Sequence, residues 1–379
     1  MHQKLNRQLY FLAQRWRKEP IKKALLDLEK SLYFDSSKLK SIQNNRLIEL
    51  LNHAVDTVPY YKKAYLEFIP EIKNADETTI RGLFNSLPVL KKSEVLKNRE
   101  LFNSSNTYPC FINVSSGTTG EPFTYPCDQV SWAYRHASLI RLIEYYGVEF
   151  GSRYGYFFGQ HWKSEFQLKT KLKDWFFNRD RVSAFDINPA SVNQLYKAFK
   201  KNKTTYLLGY PSVLVEFFKI AIDELDLSIK DLNIKLIVAT GETLEPFQKS
   251  FLEGVFSCPV VNYYGSSEGG FGSFVGKEGL MQENMETSVL TFEENNKITK
   301  TDLFLRQFPL IKIQTDDVCV LNKIDIETNL KHNVLGEISG RTGDKITLPS
   351  GLKVHSVILD YFFDLFINQV SLVFKRKVF

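Results

Sequence analysis

The chain has 379 residues, 43% hydrophobic and 24% charged, with a formal net charge of +6. This balance supplies ample apolar surface for a core and excludes a disordered chain. So small a positive excess, with no recognised nucleic-acid motif, argues against a nucleic-acid binder.

In chain order, the start, MHQKLNRQLYFLAQRWRKEPIKK, is rich in basic residues. It reads either as a solvated helix face or as a peripheral contact with an anionic membrane surface. No apolar run approaches the roughly 20 residues of a transmembrane helix, and the start lacks the apolar segment of a signal peptide, so a cytoplasmic protein is expected. The first hundred or so residues, 1–105, read as a mainly helical lead-in. Leu47, Leu50, Leu51, Ala54 and Val58 form a helical stripe that Pro59 should break. In SLPVLKKSEVLKN, Ser93 is a plausible N-cap of a further helix.

From residue 110 the pattern changes. CFINV and FTYPC read as strands flanking a glycine loop, and QVSWAYRHASLIRLIEYYG as a helix ended by Gly147. RYGYFFG and TTYLLGY read as strands, and PSVLVEFFKIAIDEL as a helix with Pro211 in its first turn. IKLIVATGE, EPFQKSFLEGVF and PVVNYYGSSE then give strand, helix, strand. This alternation predicts an α/β fold of βαβ units on a mainly parallel sheet. Ligands bind at the carboxyl ends of such strands, where the glycine-rich turns after Val114, Ala239 and Tyr264 are expected. Beyond residue 285, TSVLTF, LFLRQF, LIKIQTDDVCVL and GEISGR predict a small β-rich subdomain. Four scattered cysteines with no CxxC pair argue against a disulfide framework or a Cys-based zinc site.

The loop within FINVSSGTTGEP suits a phosphate chain. Gly117 and Gly120 allow close backbone approach, and Ser115, Ser116, Thr118 and Thr119 add hydroxyl donors. It lacks the GK[ST] of a Walker A loop, and an ordinary hairpin turn would use the same residues.

SSGTTGEP, GYPS, ATGETL, YYGSSE, PLIKIQTDD and GRTGDKI follow one another in an order that resembles the adenylate-forming enzyme superfamily, in its phenylacetate–coenzyme A ligase and CapK-like, capsule-biosynthesis branch. The likeness runs from about residue 45 to about residue 355. It implies that Ser115, Ser116, Gly117, Thr118, Thr119 and Gly120 hold the β- and γ-phosphates of ATP. Tyr264, with Gly265 beside it, would stack on adenine, and Gly241 and Glu242 would line the same pocket. Glu268 would coordinate Mg²⁺ with a loop threonine, and Asp317 would accept both ribose hydroxyls. Arg341 would reach ribose or phosphate, and Asp344 would sit at the hinge between domains. His161 is a candidate for the acyl pocket or a structural histidine. Each of these residues also has an ordinary structural reading: a surface acid, a turn residue or a core tyrosine.

The chain departs from the pattern in places. Glu121 stands where the family commonly has lysine. Lys312, Ile313 and Asp316 replace the usual Arg, Tyr and Gly of the ribose motif. No Cys and His follow YYGSSE, so no zinc is implied. The resemblance also implies a compact C-terminal domain carrying a lysine, of which only residues 341–379 would remain as hinge and remnant after a large domain over 1–340. The expected function is ATP-dependent activation of a carboxylic acid, with transfer to coenzyme A or to a sugar in cell-surface polysaccharide synthesis. The competing expectation is a truncated, non-catalytic homologue that binds nucleotide or a protein partner. A homodimer stays open.

Overall fold

The computed structural model describes residues 2–16, 18–114, 123–159, 167–266, 268–320, 328–339, 345–347 and 353–355. Among these, the lead-in consists of helices α1 (His2–Trp16), α2 (Ile21–Ser31), α3 (Ser36–Thr57), α4 (Pro59–Ala64), α5 (Ile69–Asn74), α6 (Ile80–Ser86) and α7 (Lys92–Lys97). In α3 the predicted stripe is buried: Leu47, Leu50, Leu51 and Ala54 all face the core. Asp35 caps its start by accepting the Lys38 backbone N–H at 2.8 Å. Val58 is extended and Pro59 opens α4 instead of prolonging α3, as its missing N–H requires. Helix α7 begins at Lys92 rather than after Ser93, with Lys91 at the cap position and no side-chain cap.

A two-stranded antiparallel hairpin follows, β1 (Cys110–Val114) with β2 (Thr124–Asp128). It is separate from the main sheet, which corrects the expectation that the turn after Val114 leaves a strand of the parallel sheet. Next come α8 (Gln129–Tyr145), β3 (Tyr154–Phe158), α9 (Gln167–Phe176), β4 (Arg179–Ser183), α10 (Pro189–Asn202), β5 (Tyr206–Gly209), α11 (Pro211–Lys219), β6 (Leu236–Ala239), α12 (Pro246–Phe256), β7 (Val260–Ser266), β8 (Gly270–Val275) and β9 (Met281–Glu283). Gly147 ends α8 as predicted. It has a positive φ of 81°, and the N–H groups of Gly147 and Val148 donate back to the carbonyls of Glu144 and Ile143, a Schellman closure.

The main sheet has seven strands in the order β4-β3-β5-β6-β7-β8-β9. The run from β4 to β7 is parallel, and β8 and β9 are antiparallel. Alternate residues face opposite sides. Phe157, Leu207, Ile237 and Val260 pack with Phe199, Phe217 and Leu252 of α10, α11 and α12. Leu208, Val238 and Tyr263 pack on the other side with Leu142 and Ile143 of α8. The α/β architecture is therefore the predicted one.

The β-rich unit is an antiparallel sheet of β10 (Ser288–Phe292), β11 (Lys297–Asp302), β12 (Ile313–Val320) and β13 (Glu337–Ser339). A small hairpin, β14 (Lys345–Thr347) with β15 (Lys353–His355), follows. The apolar run LFLRQF is not a strand. It is an irregular turn whose Leu303, Leu305 and Phe308 are buried against Phe102 and Tyr61 of the helical lead-in.

Candidate functional site

A cavity of about 700 Å³ opens where β5, β6 and β7 end. Parallel strands leave their carboxyl ends open to a ligand, because the chain turns away there into helices. Gly241, Glu242, Tyr264, Gly265, Glu268 and Asp317 all line this cavity.

Tyr264 lies near the end of β7 and Asp317 in the middle of β12, yet the Tyr264 hydroxyl donates to Asp317 Oδ2 at 2.8 Å. Burial, reinforced by the Asp317 charge, raises the Tyr264 hydroxyl well above the ordinary phenol range, so it stays a donor at neutral pH. Lys300 of β11 closes this corner from below. Its Nζ lies 4.7 Å from the Tyr264 ring centroid and donates to the Gly270 carbonyl at 2.6 Å. Burial pulls the Lys300 ammonium down to about 7, against the opposing pull of Asp317 and Glu268.

On the β6 side, Gly241 has a φ of +80°, and an added Cβ would lie 2.5 Å from Tyr210 Cε1. Only glycine lets the turn adopt this conformation with the Tyr210 ring against it. Glu242 is held by Ser212, whose N–H donates to Oε2 at 3.2 Å and whose hydroxyl donates to Oε1 at 3.0 Å, at the first turn of α11.

Glu268 is buried, and Lys92 Nζ meets its Oε1 at 2.7 Å. Burial would raise this carboxyl, but the charge and hydrogen bond of Lys92, together with a backbone hydrogen bond and the Lys300 charge, hold Glu268 below its ordinary value. Among the described residues no group of three or more His, Cys, Asp and Glu could hold a metal ion. Mg²⁺ does not require one, since it is commonly held by one or two carboxylates plus phosphate oxygens and water. Glu268 is ionised and lines the cavity, with one oxygen already paired to Lys92, so it fits only the limited role of a single oxygen ligand beside phosphate oxygens and water.

Below the mouth, the cavity continues between α8 and the sheet, past Trp132 and His136 of α8 and Tyr156 and Phe158 of β3. Its upper part is thus polar and its lower part aromatic.

Of the residues singled out in the sequence, Ser115, Ser116, Gly117, Thr118, Thr119, Gly120, Glu121, His161, Arg341 and Asp344 lie outside the described residues. The replaced residues of the ribose motif have structural uses. Lys312 turns inward and donates to the carbonyls of Asn85 and Leu87 at 3.1 and 2.9 Å. Ile313 is buried beside Leu90, and Asp316 is exposed. The sequence reading missed Lys92 and Lys300. Lys92 was visible only as part of KKSEV, and Lys300 carried no signal at all.

No protein-family model matches the chain. It is 25% identical over 316 residues to protein CapK of Staphylococcus aureus, covering 79% of this chain and 69% of that one. It is 25% identical over 253 residues to indoleacetate–lysine synthetase of Pseudomonas savastanoi, covering 64% and 62%. Among solved structures it superposes on 2-hydroxyisobutyryl-CoA ligase in complex with 2-HIB-AMP and CoA, with a TM-score of 0.66, 15% identity, and coverage of 85% of this chain and 73% of that one. A postadenylation state of the same ligase gives a TM-score of 0.66 at 14% identity, with coverage of 88% and 74%. The predicted motif order, the seven-stranded mainly parallel sheet and these likenesses converge on the adenylate-forming superfamily, to which the chain is similar in sequence and in fold.

Proposed function

We propose that this chain activates a carboxylic acid with ATP, forming an acyl-adenylate, and hands the acyl group to an acceptor. One observation carries the reading: Tyr264, Asp317, Gly241 and Glu242 converge on one cavity at the carboxyl ends of parallel strands, with an aromatic channel beneath. A carboxylate oxygen attacks the α-phosphorus of ATP, a P–O bond forms and pyrophosphate leaves. AMP is then the good leaving group that the free acid lacks. The protein's task is alignment and charge balance.

In this reading Tyr264 and Gly265 border the adenine, with Gly241 and Glu242 on its other side. Asp317, acceptor-only when ionised and oriented by Tyr264, suits the vicinal ribose diol. The loop Ser115–Gly120, with Thr118 and Thr119, would embrace the phosphates. Arg341 would reach ribose or phosphate, and Asp344 would serve as the hinge after a large unit over 1–340. Mg²⁺ at Glu268 would neutralise phosphate charge as pyrophosphate departs. Lys92 keeps Glu268 ionised. The acid would lie in the aromatic channel, its carboxylate towards the nucleotide.

The acceptor is coenzyme A, or an amine or hydroxyl of a sugar in cell-surface polysaccharide synthesis. Likeness to CapK supports the polysaccharide setting, and likeness to an acid–lysine synthetase supports an amine acceptor. Among the described residues no helix is long and apolar enough to cross a membrane.

Acid-dependent exchange of labelled pyrophosphate into ATP, run over a broad acid panel, tests the reading. Exchange should appear with one structural class of acid and vanish without acid. Absence of exchange with every acid, together with no calorimetric binding of ATP, would overturn it.

A further inference from the structure

The cavity does not end beneath the nucleotide residues. It follows β3 along its whole length, lined by Phe158, Tyr156 and Tyr154 on the α8 side of the sheet. Strand register gives the depth. Phe158 pairs with Ser183 at the carboxyl end, and Tyr154 pairs with Arg179 and Tyr206 at the amino end. Four steps of about 3.3 Å separate those levels, so the channel is about 13 Å deep. Its walls are aromatic: Tyr154 stacks on Tyr206 with centroids 4.8 Å apart, and Tyr156 and Phe158 are 4.3 Å apart.

The inner end is polar. Arg179 is buried, its Cζ 4.2 Å from the Tyr156 ring centroid, and its Nε donates to Asp174 Oδ1 at 2.6 Å. Asp174 must also serve Arg181, at 2.9 and 2.7 Å, so one carboxylate is shared between two guanidinium groups. Lys173 and Glu19 add one charge of each sign to the lining. Gln14 of α1 reaches the same end. It is 4% exposed, and among the described residues its buried Oε1 has no hydrogen-bond partner. A buried amide oxygen calls for a donor, and a guanidinium with five N–H groups, here also bonded to Asp174, Tyr154 and Tyr156, offers donors to a further acceptor. A single hydroxyl supplies both.

We propose that the acid taken by this site is elongated, with an apolar body spanning about 13 Å of channel and a terminal hydroxyl read by Arg179 and Gln14. The proposal rests on the acid-activating reading above, but binding tests it apart from turnover. Benzoate, decanoate, ω-hydroxydecanoate and sebacate are titrated calorimetrically into the full chain. Decanoate should bind more tightly than benzoate, and ω-hydroxydecanoate about tenfold more tightly than decanoate. Arg179→Met and Gln14→Leu should each pull the ω-hydroxydecanoate to decanoate ratio towards one. Gln14→Leu leaves the Asp174 ion pairs intact, so it still decides the matter should Arg179→Met fail to fold. Equal binding of decanoate and its hydroxy derivative, a preference that survives in Gln14→Leu, or tighter binding of sebacate would overturn the proposal. Pyrophosphate exchange with the same acids separates the two readings. A hydroxyl preference in binding without any exchange sinks the ligase reading alone, and brisk exchange with no preference sinks this one alone.

Discussion

The Tyr264 hydroxyl donates to Asp317 at 2.8 Å, tying the end of the parallel sheet to the antiparallel β-rich unit across 53 residues of sequence. An acid of strand β12 is thereby held in one orientation at the cavity mouth, and two sheets share one site.

If Asp317 holds the ribose as proposed, Asp317→Ala removes charge-assisted hydrogen bonds to a bound nucleotide, worth roughly 1.5–3 kcal/mol. ATP affinity measured by calorimetry should fall about ten- to hundredfold. Tyr264→Phe keeps the ring and loses only the tether, so it should cost less. Both variants binding ATP like the parent would remove Asp317 from the nucleotide site.

Gly241→Ala should destabilise the protein. Its φ of +80° disfavours an L side chain, and the new Cβ meets Tyr210 at 2.5 Å. The expected cost is about 1–3 kcal/mol in urea unfolding. Gly254, inside α12 with nothing within 4 Å of a new Cβ, is the control, and Gly254→Ala should stabilise by about 0.4–1 kcal/mol. A Gly241→Ala midpoint at or above the parent's would show that the turn is not under the constraint described.

Lys300 predicts a pH dependence of stability. Its ammonium is protonated up to about 7 in the folded chain, against an ordinary value of 10.5 when exposed, because burial penalises the charge. Between those values the unfolded chain binds more protons than the folded one, so this group makes stability rise with pH across that window. Below 7 both states are protonated and the burial penalty is felt in full. Lys300→Met removes the titration, so the difference in urea midpoint between variant and parent should shrink as pH rises from 7 towards 10.5. A pH-independent difference would mean that Lys300 does not titrate there.

Much of the fold was legible because it is local. The stripe of α3, the stop at Pro59, the Gly147 closure and the alternation from β5 to β7 are each written within a few neighbouring residues, where periodicity and backbone chemistry act. The motif order likewise singled out Gly241, Glu242, Tyr264, Gly265, Glu268 and Asp317, which the fold gathers into one cavity.

What stayed hidden depends on partners distant in the chain. Strand β4, RDRVS, is buried at every position, which no alternation announces, since Asp174 pairs with both Arg179 and Arg181 while Arg153 pairs with Asp180. LFLRQF has a strand's composition, but its apolar side chains are taken by the helical lead-in instead of a ladder. Lys92 meets Glu268 and Lys300 meets the Tyr264 ring only once distant elements are packed. A sequence determines which groups a chain can ionise, cap or bury. The tertiary structure decides which of them meet, because charge pairing and desolvation act through space and not along the backbone.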